Sequence, residues 1–419
     1  MPSLLRVHEG TLRNGLRVRV VPSSDSPVVS LYTFFSVGSR NERPGITGIS
    51  HLFEHMMFNG AAKYGPNQFD EVLEAHGGRS NAYTTHDLTV YYEEFAAEAL
   101  DQVLDLEADR MRSLTISDRT LQREREVVKE ERRLRVENDV AGLLDEELHA
   151  LVYQAHPYRW PVIGWMGDIQ AIRREDCEAY FRTFYAPSNA VLWIAGRVDP
   201  EATLSRVRRA YRDIPAGPPV PGVVDAEPPQ RGERRSVIHH PAQAPGVLIA
   251  FRGPPVSHPD ALALDVLQFV LALGEGSRLT RRLVYQERVA VDVGMDWSWR
   301  LDPGVLVFHA ELAPDGDPAR VEAMLYGELD RAAEEGVSER ELAKAKNNLR
   351  AHLLRELATS SGRAHALGTY EAYLGSWRAG LRLADRYARI DGATVRAAAR
   401  RYLNASRRSV VTLLPGAAA

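Results

Sequence analysis

Pro215, Pro218, Pro219, Pro221, Pro228 and Pro229 fall within residues 213–232. Proline has no backbone N–H and a fixed φ, so so dense a stretch continues neither a helix nor a central strand. It reads as an extended linker. The chain of 419 residues is thereby cut into residues 1–212 and residues 233–419, each of single-domain length.

The two parts read as diverged copies of one unit. The first closes with a helical pattern from Arg174 to Tyr185, the turn Pro187-Ser188-Asn189 and an apolar strand from Ala190 to Ala195. The second closes with Ala393 to Tyr402, the turn Asn404-Ala405-Ser406 and a strand from Ser409 to Leu414. These modules lie roughly 218 residues apart. A charged helix from Leu121 to Glu137 has its counterpart in Leu342 to Leu357. Near the N-terminus, Leu16 to Val21 and Val28 to Ser36 are β-branched runs separated by Ser23-Ser24-Asp25-Ser26-Pro27, which reads as a hairpin turn. Gly48 to Phe58 and Ala97 to Met111 read as helices, and Thr89 to Glu94 as a strand. Strands mixed with helices in this way predict an α+β chain of two α/β sandwiches with largely antiparallel sheets.

Charge and cysteine content narrow the chemistry. The net charge is −4 with both signs interspersed, which lacks the basic footprint of a nucleic-acid binder. Pairs such as Arg281-Arg282 and Arg400-Arg401 read as solvated helix faces. Cys177 is the single cysteine, which excludes an intrachain disulfide and a thiolate zinc site. Any metal must be held by His and carboxylates. The N-terminal residues carry no apolar signal region, and no run is long and apolar enough to span a membrane, so the expected location is the cytoplasm, with no membrane partner.

His51 and His55 supply the candidate chemistry. Four residues apart on a helix, they stand on one face and can hold one metal ion between them. Glu54 points to the same side. A zinc ion bound by two imidazoles lowers the pKa of its water toward about 7. A carboxylate beside that water can take its proton. His51-Leu52-Phe53-Glu54-His55 is the H-x-x-E-H arrangement, the reverse of H-E-x-x-H. Leu52, Phe53, Met56, Met57 and Phe58 are apolar, so the helix is largely buried and its polar groups need partners.

A catalytic zinc takes three protein ligands and keeps one position open. The third is sought in Glu124-Arg125-Glu126-Val127-Val128-Lys129-Glu130-Glu131. Seven residues make nearly two turns, so Glu124 and Glu131 share a face, with Val127 and Val128 beside them. One carboxylate could ligate and the other orient a ligand histidine. Taken alone, without the histidine motif, such a helix reads as a solvated charged face.

These motifs resemble the pitrilysin or M16 family of zinc peptidases, which includes insulin-degrading enzyme and the mitochondrial processing peptidase. In that family H-x-x-E-H is followed about 76 residues later by the third ligand within E-R-x-x-V-x-x-E. Here Glu131 stands 76 residues beyond His55. The resemblance implies one zinc per chain on His51, His55 and Glu131. It implies Glu54 as general base and Glu124 as a supporting catalytic carboxylate behind the ligands. Glu130 is the one-residue alternative, but it breaks the seven-residue spacing. Gly77-Gly78-Arg79-Ser80-Asn81-Ala82-Tyr83-Thr84 is similar to the family's G-G-x-x-N-A-x-T segment. There an edge strand takes the substrate backbone by strand addition, which marks Asn81 and Ala82 as substrate contacts. His156-Pro157-Tyr158 matches a segment of packing residues, and His76 and His86 read as structural. The implied fold is that of the LuxS-like and processing-peptidase-like metallohydrolases.

The second half has no paired histidines around His258 to Leu273, and it offers Lys346, Asn347 and Asn348 where acidic ligands would stand. The resemblance therefore implies an inert second domain that walls a closed chamber. Small members of the family usually place an Arg and a Tyr after a Ser-Arg-Leu segment. Here Ser277-Arg278-Leu279 is followed by Val284 and Val291 at those positions. The chain is expected to work as a dimer on peptide substrates. Its partner is either a zinc-free M16-like subunit that supplies the Arg/Tyr pair, or a second copy using Arg282 or Tyr285. The expectation from another class is a non-catalytic structural subunit.

Overall fold

The computed structural model describes residues 5–24 and 27–416. They divide into two compact units. The first holds residues up to Arg133, Trp160–Asp225 and Arg355–Leu381. The second holds Leu134–Arg159, Ala226–Leu354 and the residues from Arg382 onward.

The first unit is built on a six-stranded sheet of β1 (His8–Thr11), β2 (Arg17–Pro22), β3 (Val28–Phe35), β4 (Arg79–Thr84), β5 (Thr89–Ala96) and β6 (Ala190–Gly196). Their order is β1-β2-β6-β3-β5-β4. All neighbours are antiparallel except β2 and β6, where Arg17 lies opposite Val191. The runs on either side of residues 23–27 are therefore not a hairpin. Residues 25 and 26 lie outside the described residues, but β6 stands between β2 and β3, with Trp193 opposite Tyr32. Every residue of β6 is buried, and a strand apolar on both faces belongs in a sheet's interior.

The second unit carries β7 (Arg234–His240), β8 (Gly246–Arg252), β9 (Ala290–Trp297), β10 (Val305–Leu312) and β11 (Arg408–Pro415). Their order is β7-β11-β8-β10-β9, with β7 and β11 the parallel pair. Replacing β2, β6, β3, β5 and β4 by these strands in turn reproduces the first sheet without β1. Both units are mixed sheets flanked by helices, an α+β architecture in duplicate.

The units do not coincide with residues 1–212 and 233–419, because each part of the chain lends the other a helix. Val140–Val152 belongs to the second unit and packs on β7, β8 and β11. Its Leu144, Leu148 and Val152 meet Ala250, Val411 and Leu413. Ser360–Leu374 belongs to the first unit and packs on β2, β3 and β6. There Arg19 on β2 meets Glu371 at 2.7 Å, both nearly buried. A Cβ at Gly368 would stand 2.1 Å from the Phe34 ring, so only glycine lets this helix lie so close to β3.

Between Tyr211 and Arg234 the chain has neither helix nor strand. Past Ala226 this stretch is tied down, because Glu227 accepts backbone N–H bonds from Gln154, Ala155 and His156. His156 and Tyr158 are buried packing residues. No helix among the described residues is long and apolar enough to cross a membrane.

Candidate metal centre

The helix Ile49–Met56 starts from a glycine. Gly48 has φ +87°, and a Cβ there would meet the Ile163 carbonyl oxygen at 2.3 Å. With no side chain Gly48 cannot cap the helix. Glu42 does so from outside: its Oε2 accepts the Gly48 N–H and its Oε1 the Ser50 N–H, each at 2.8 Å. Burial, opposed by these N–H bonds, pushes the Glu42 carboxyl up to about 8. Ile49, Leu52, Phe53 and Met56 form the buried face, and Phe53 stacks on Tyr180 and Tyr185. Met57 is buried as well, and Phe58 half-buried. His51, Glu54 and His55 are half-buried on the same helix, and the two imidazoles stand 4.9 Å apart, centre to centre, at 68°.

The opposing helix is Asp118–Arg132, capped by Ser117, whose hydroxyl accepts the Thr120 N–H. It buries Leu121, Glu124, Val128 and Arg132, and Glu131 lies half-buried beside them. Val127 is 45% exposed, so the expected pair of inward valines reduces to Val128. Residues 121, 124, 128 and 132 form one helical stripe, and 127 falls off its edge toward solvent. Glu130 also faces solvent, with its side chain 60% exposed and paired with Arg133.

The two helices bring His51, His55 and Glu131 together, with one candidate ligand atom from each lying within 4.8 Å of the others. Glu131 Oε2 lies 3.6 Å from His51 Nε2 and 3.2 Å from His55 Nε2. Ligand atoms around a tetrahedral zinc at about 2.1 Å stand about 3.4 Å apart. The three residues therefore fit zinc in both donor type and spacing. Glu124 approaches from the far side, with Oε2 3.8 Å from His55 Nδ1. That is a charge neighbour rather than a hydrogen bond. Its other oxygen accepts from Arg123 Nε at 2.9 Å. Burial lowers the His55 pKa, but the hydrogen bond and charge of Glu131, with the charges of Glu54 and Glu124, raise it overall above the ordinary imidazole value.

Glu54 Oε2 accepts a 2.7 Å hydrogen bond from Thr84 Oγ1. Thr84 ends β4, which among the described residues lies at the margin of its sheet and pairs with β5 alone. Asn81 and Ala82 lie on this edge strand, opposite Tyr92 and Tyr91. The Asn81 side chain accepts the Ala82 N–H at 2.8 Å. His76 meets Gln102 and His86 meets Ser39, so neither joins the cluster. Glu42 and Thr84 received no role from the sequence. An acid preceding a glycine turn before the histidine helix is the one signal that points to Glu42. Thr84 lay inside the recognised segment without a partner to give it meaning.

In the second unit, Ala261–Leu271 follows β8 as the histidine helix follows β3. It carries one buried acid, Asp265, which accepts from Tyr387 Oη at 2.6 Å and from Trp299 Nε1 at 3.3 Å. In Glu339–Glu356, Lys346 reaches the Ala388 carbonyl. Among the described residues, the His51, His55 and Glu131 group is the one cluster of three such side chains suited to a metal. Arg278 is held by Glu341. Val284 is half-buried and Val291, on β9, is 61% exposed.

Comparison with known proteins places the chain in a family. Residues 18–164 match the model of the insulinase family, peptidase family M16, and residues 171–349 match that of the peptidase M16 inactive domain. The chain is 31% identical to the zinc protease PqqE of Helicobacter pylori over 373 residues, covering 88% of this chain and 84% of that protein. It is 27% identical to a probable mitochondrial-processing peptidase subunit beta of Arabidopsis thaliana, covering 94% of this chain and 75% of that protein. The crystal structure of a protease from Helicobacter pylori superposes with a TM-score of 0.95 at 28% identity, covering 98% of this chain and all of that one. The chain belongs to the M16 family of peptidases.

Proposed function

We propose that this chain is a zinc metalloendopeptidase that hydrolyses short or unfolded peptides. The observation that carries the reading is the convergence of His51, His55 and Glu131 within 4.8 Å, with Glu54 on the same helix as the two histidines. His51, His55 and Glu131 would hold one zinc ion. Bound there, zinc supplies a water of lowered pKa and polarises the scissile carbonyl. Glu54 accepts the proton of the attacking water and delivers it to the departing nitrogen. Thr84 holds the Glu54 carboxylate in place while that proton moves, and Glu124 adds negative charge behind His55.

The substrate backbone adds as a strand to β4, alongside Asn81 and Ala82. Strand addition needs an extended segment, which favours unfolded peptides over folded proteins. A second chain that supplies an Arg and a Tyr would serve where this one has Val284 and Val291. Co-purification with such a chain, and cleavage only by the mixture, supports that pairing; full activity of this chain alone removes it.

The experiment is mass-spectrometric mapping of cleavage in a defined peptide mixture, with and without a chelator, followed by zinc repletion. Internal cleavage that the chelator abolishes and zinc restores supports the reading. A zinc-loaded protein that cleaves nothing points to a non-catalytic subunit.

A further inference from the structure

We infer that Glu42 is a positioning residue of the metal centre, clamping the first turn of the helix that carries His51, Glu54 and His55. The inference rests on the zinc-site reading above. It concerns a residue that touches neither the proposed ligands nor the proposed base.

The helix Ile49–Met56 has only eight residues, barely two turns. A helix this short has little stability of its own and takes its orientation from its ends and its packing. At its start, Gly48 offers no capping group, and Ile163 blocks any side chain there. Four N–H groups at a helix start have no partner within the helix. Glu42 takes one of these, from Ser50, and also the N–H of Gly48, using one oxygen for each. His51 is the next residue after Ser50, so the clamp acts one peptide unit from the first proposed ligand.

Glu42 is 6% exposed, which leaves little room for the side chain to swing or for water to replace it. Asp168 braces the preceding loop through Gly45 and Thr47, but the helix itself is reached by Glu42.

The geometric lever is large. Ligand atoms stand about 5–6 Å from a helix axis. A rotation of about 10° about that axis moves such an atom by ~1 Å, against a tolerance of about 0.5 Å for a productive site. Packing of Phe53 against Tyr180 and Tyr185 fixes the buried face, while Glu42 fixes the end.

The test compares full-length wild type with Glu42→Gln and Glu42→Asp. Gln keeps the size but loses one acceptor; Asp keeps both oxygens but shortens the reach. Zinc affinity is measured by competition with a chromogenic chelator, and cobalt is substituted to read the visible absorption of the site. Circular dichroism and a thermal melt report the fold. The expected result is a zinc affinity weakened roughly 10- to 100-fold in Glu42→Gln, as for other groups that support a ligand set. An altered cobalt spectrum and a fall in kcat with little change in KM should accompany it, with Glu42→Asp intermediate. If Glu42→Gln does not fold, Glu42→Asp decides on the same readings. A folded variant with wild-type zinc affinity and cobalt spectrum, whatever its melting temperature, overturns the inference and leaves the zinc site intact. A wild type that binds no zinc overturns the site reading as well.

Discussion

Thr84 donates a hydrogen bond to Glu54 across 2.7 Å. The bond joins the last residue of an edge strand to the proposed proton acceptor, so the strand proposed to take the peptide also holds the group proposed to act on it. A hydrogen bond to a charged group is worth about 1.5–3 kcal/mol. Thr84→Val keeps the shape and removes the donor. Its kcat should fall roughly 10- to 100-fold, with zinc content unchanged and KM little affected. Thr84→Ser should recover most of the rate. Steady-state kinetics on one defined peptide check this, and a Val variant at the wild-type rate would show that the bond carries no catalytic weight.

Arg110 serves two buried acids at once. Its Nη2 stands 3.0 Å from Glu93 and 2.6 Å from Glu107, and all three side chains are nearly inaccessible. Burial, with the charge of Glu107 behind it, holds the Glu93 carboxyl well above the usual carboxylate range. Arg110→Met leaves two acids in the first unit without their cation and should cost about 3–5 kcal/mol in urea unfolding. A loss below about 1 kcal/mol contradicts this account of the cluster.

Gly368 marks a close approach between helix and sheet. Glycine to alanine inside a helix ordinarily gains about 0.5–1 kcal/mol. Here the new Cβ would meet the buried Phe34 ring at 2.1 Å. Overpacking of this kind costs about 1–3 kcal/mol, so Gly368→Ala should lower the melting temperature. A higher one would mean that the helix can lift away freely.

Asp265 predicts a pH dependence of stability. Burial, opposed by bonds from Tyr387 and Trp299, pushes its carboxyl from 3.8 up to about 6. The folded state therefore holds this proton more tightly than the unfolded chain. The contribution to stability is full below about pH 4 and is lost as pH rises through about 6. A shift of about two units corresponds to ~3 kcal/mol. Asp265→Asn should flatten the dependence of unfolding free energy on pH between about 4 and 6. Equal slopes for the two proteins would place the titration elsewhere.

What was legible in the sequence was what local spacing determines. His51 and His55 share a helix face because they are four apart, and Glu124 and Glu131 because they are seven apart. The apolar run at β6 was readable as a strand, but not its insertion between β2 and β3, since strand order depends on contacts far apart in the chain. The inward position of Val128 and the outward position of Val127 were not separable, because both flank the same stripe and the neighbouring packing decides. Val140–Val152 carries an apolar face that calls for cover without saying which sheet provides it. That is why its place on the second sheet, and the reciprocal place of Ser360–Leu374, were invisible. Glu42 has no period and no motif of its own; only the fold brings it to Gly48 and Ser50.

The central claim is that Glu54 moves the proton at a zinc held by His51, His55 and Glu131. The most direct test is the peptide cleavage rate of Glu54→Gln at measured zinc content. The account predicts one zinc per chain in both proteins and a rate lower in the variant by roughly 10²- to 10⁴-fold. A variant that carries zinc and cleaves at the wild-type rate would contradict it.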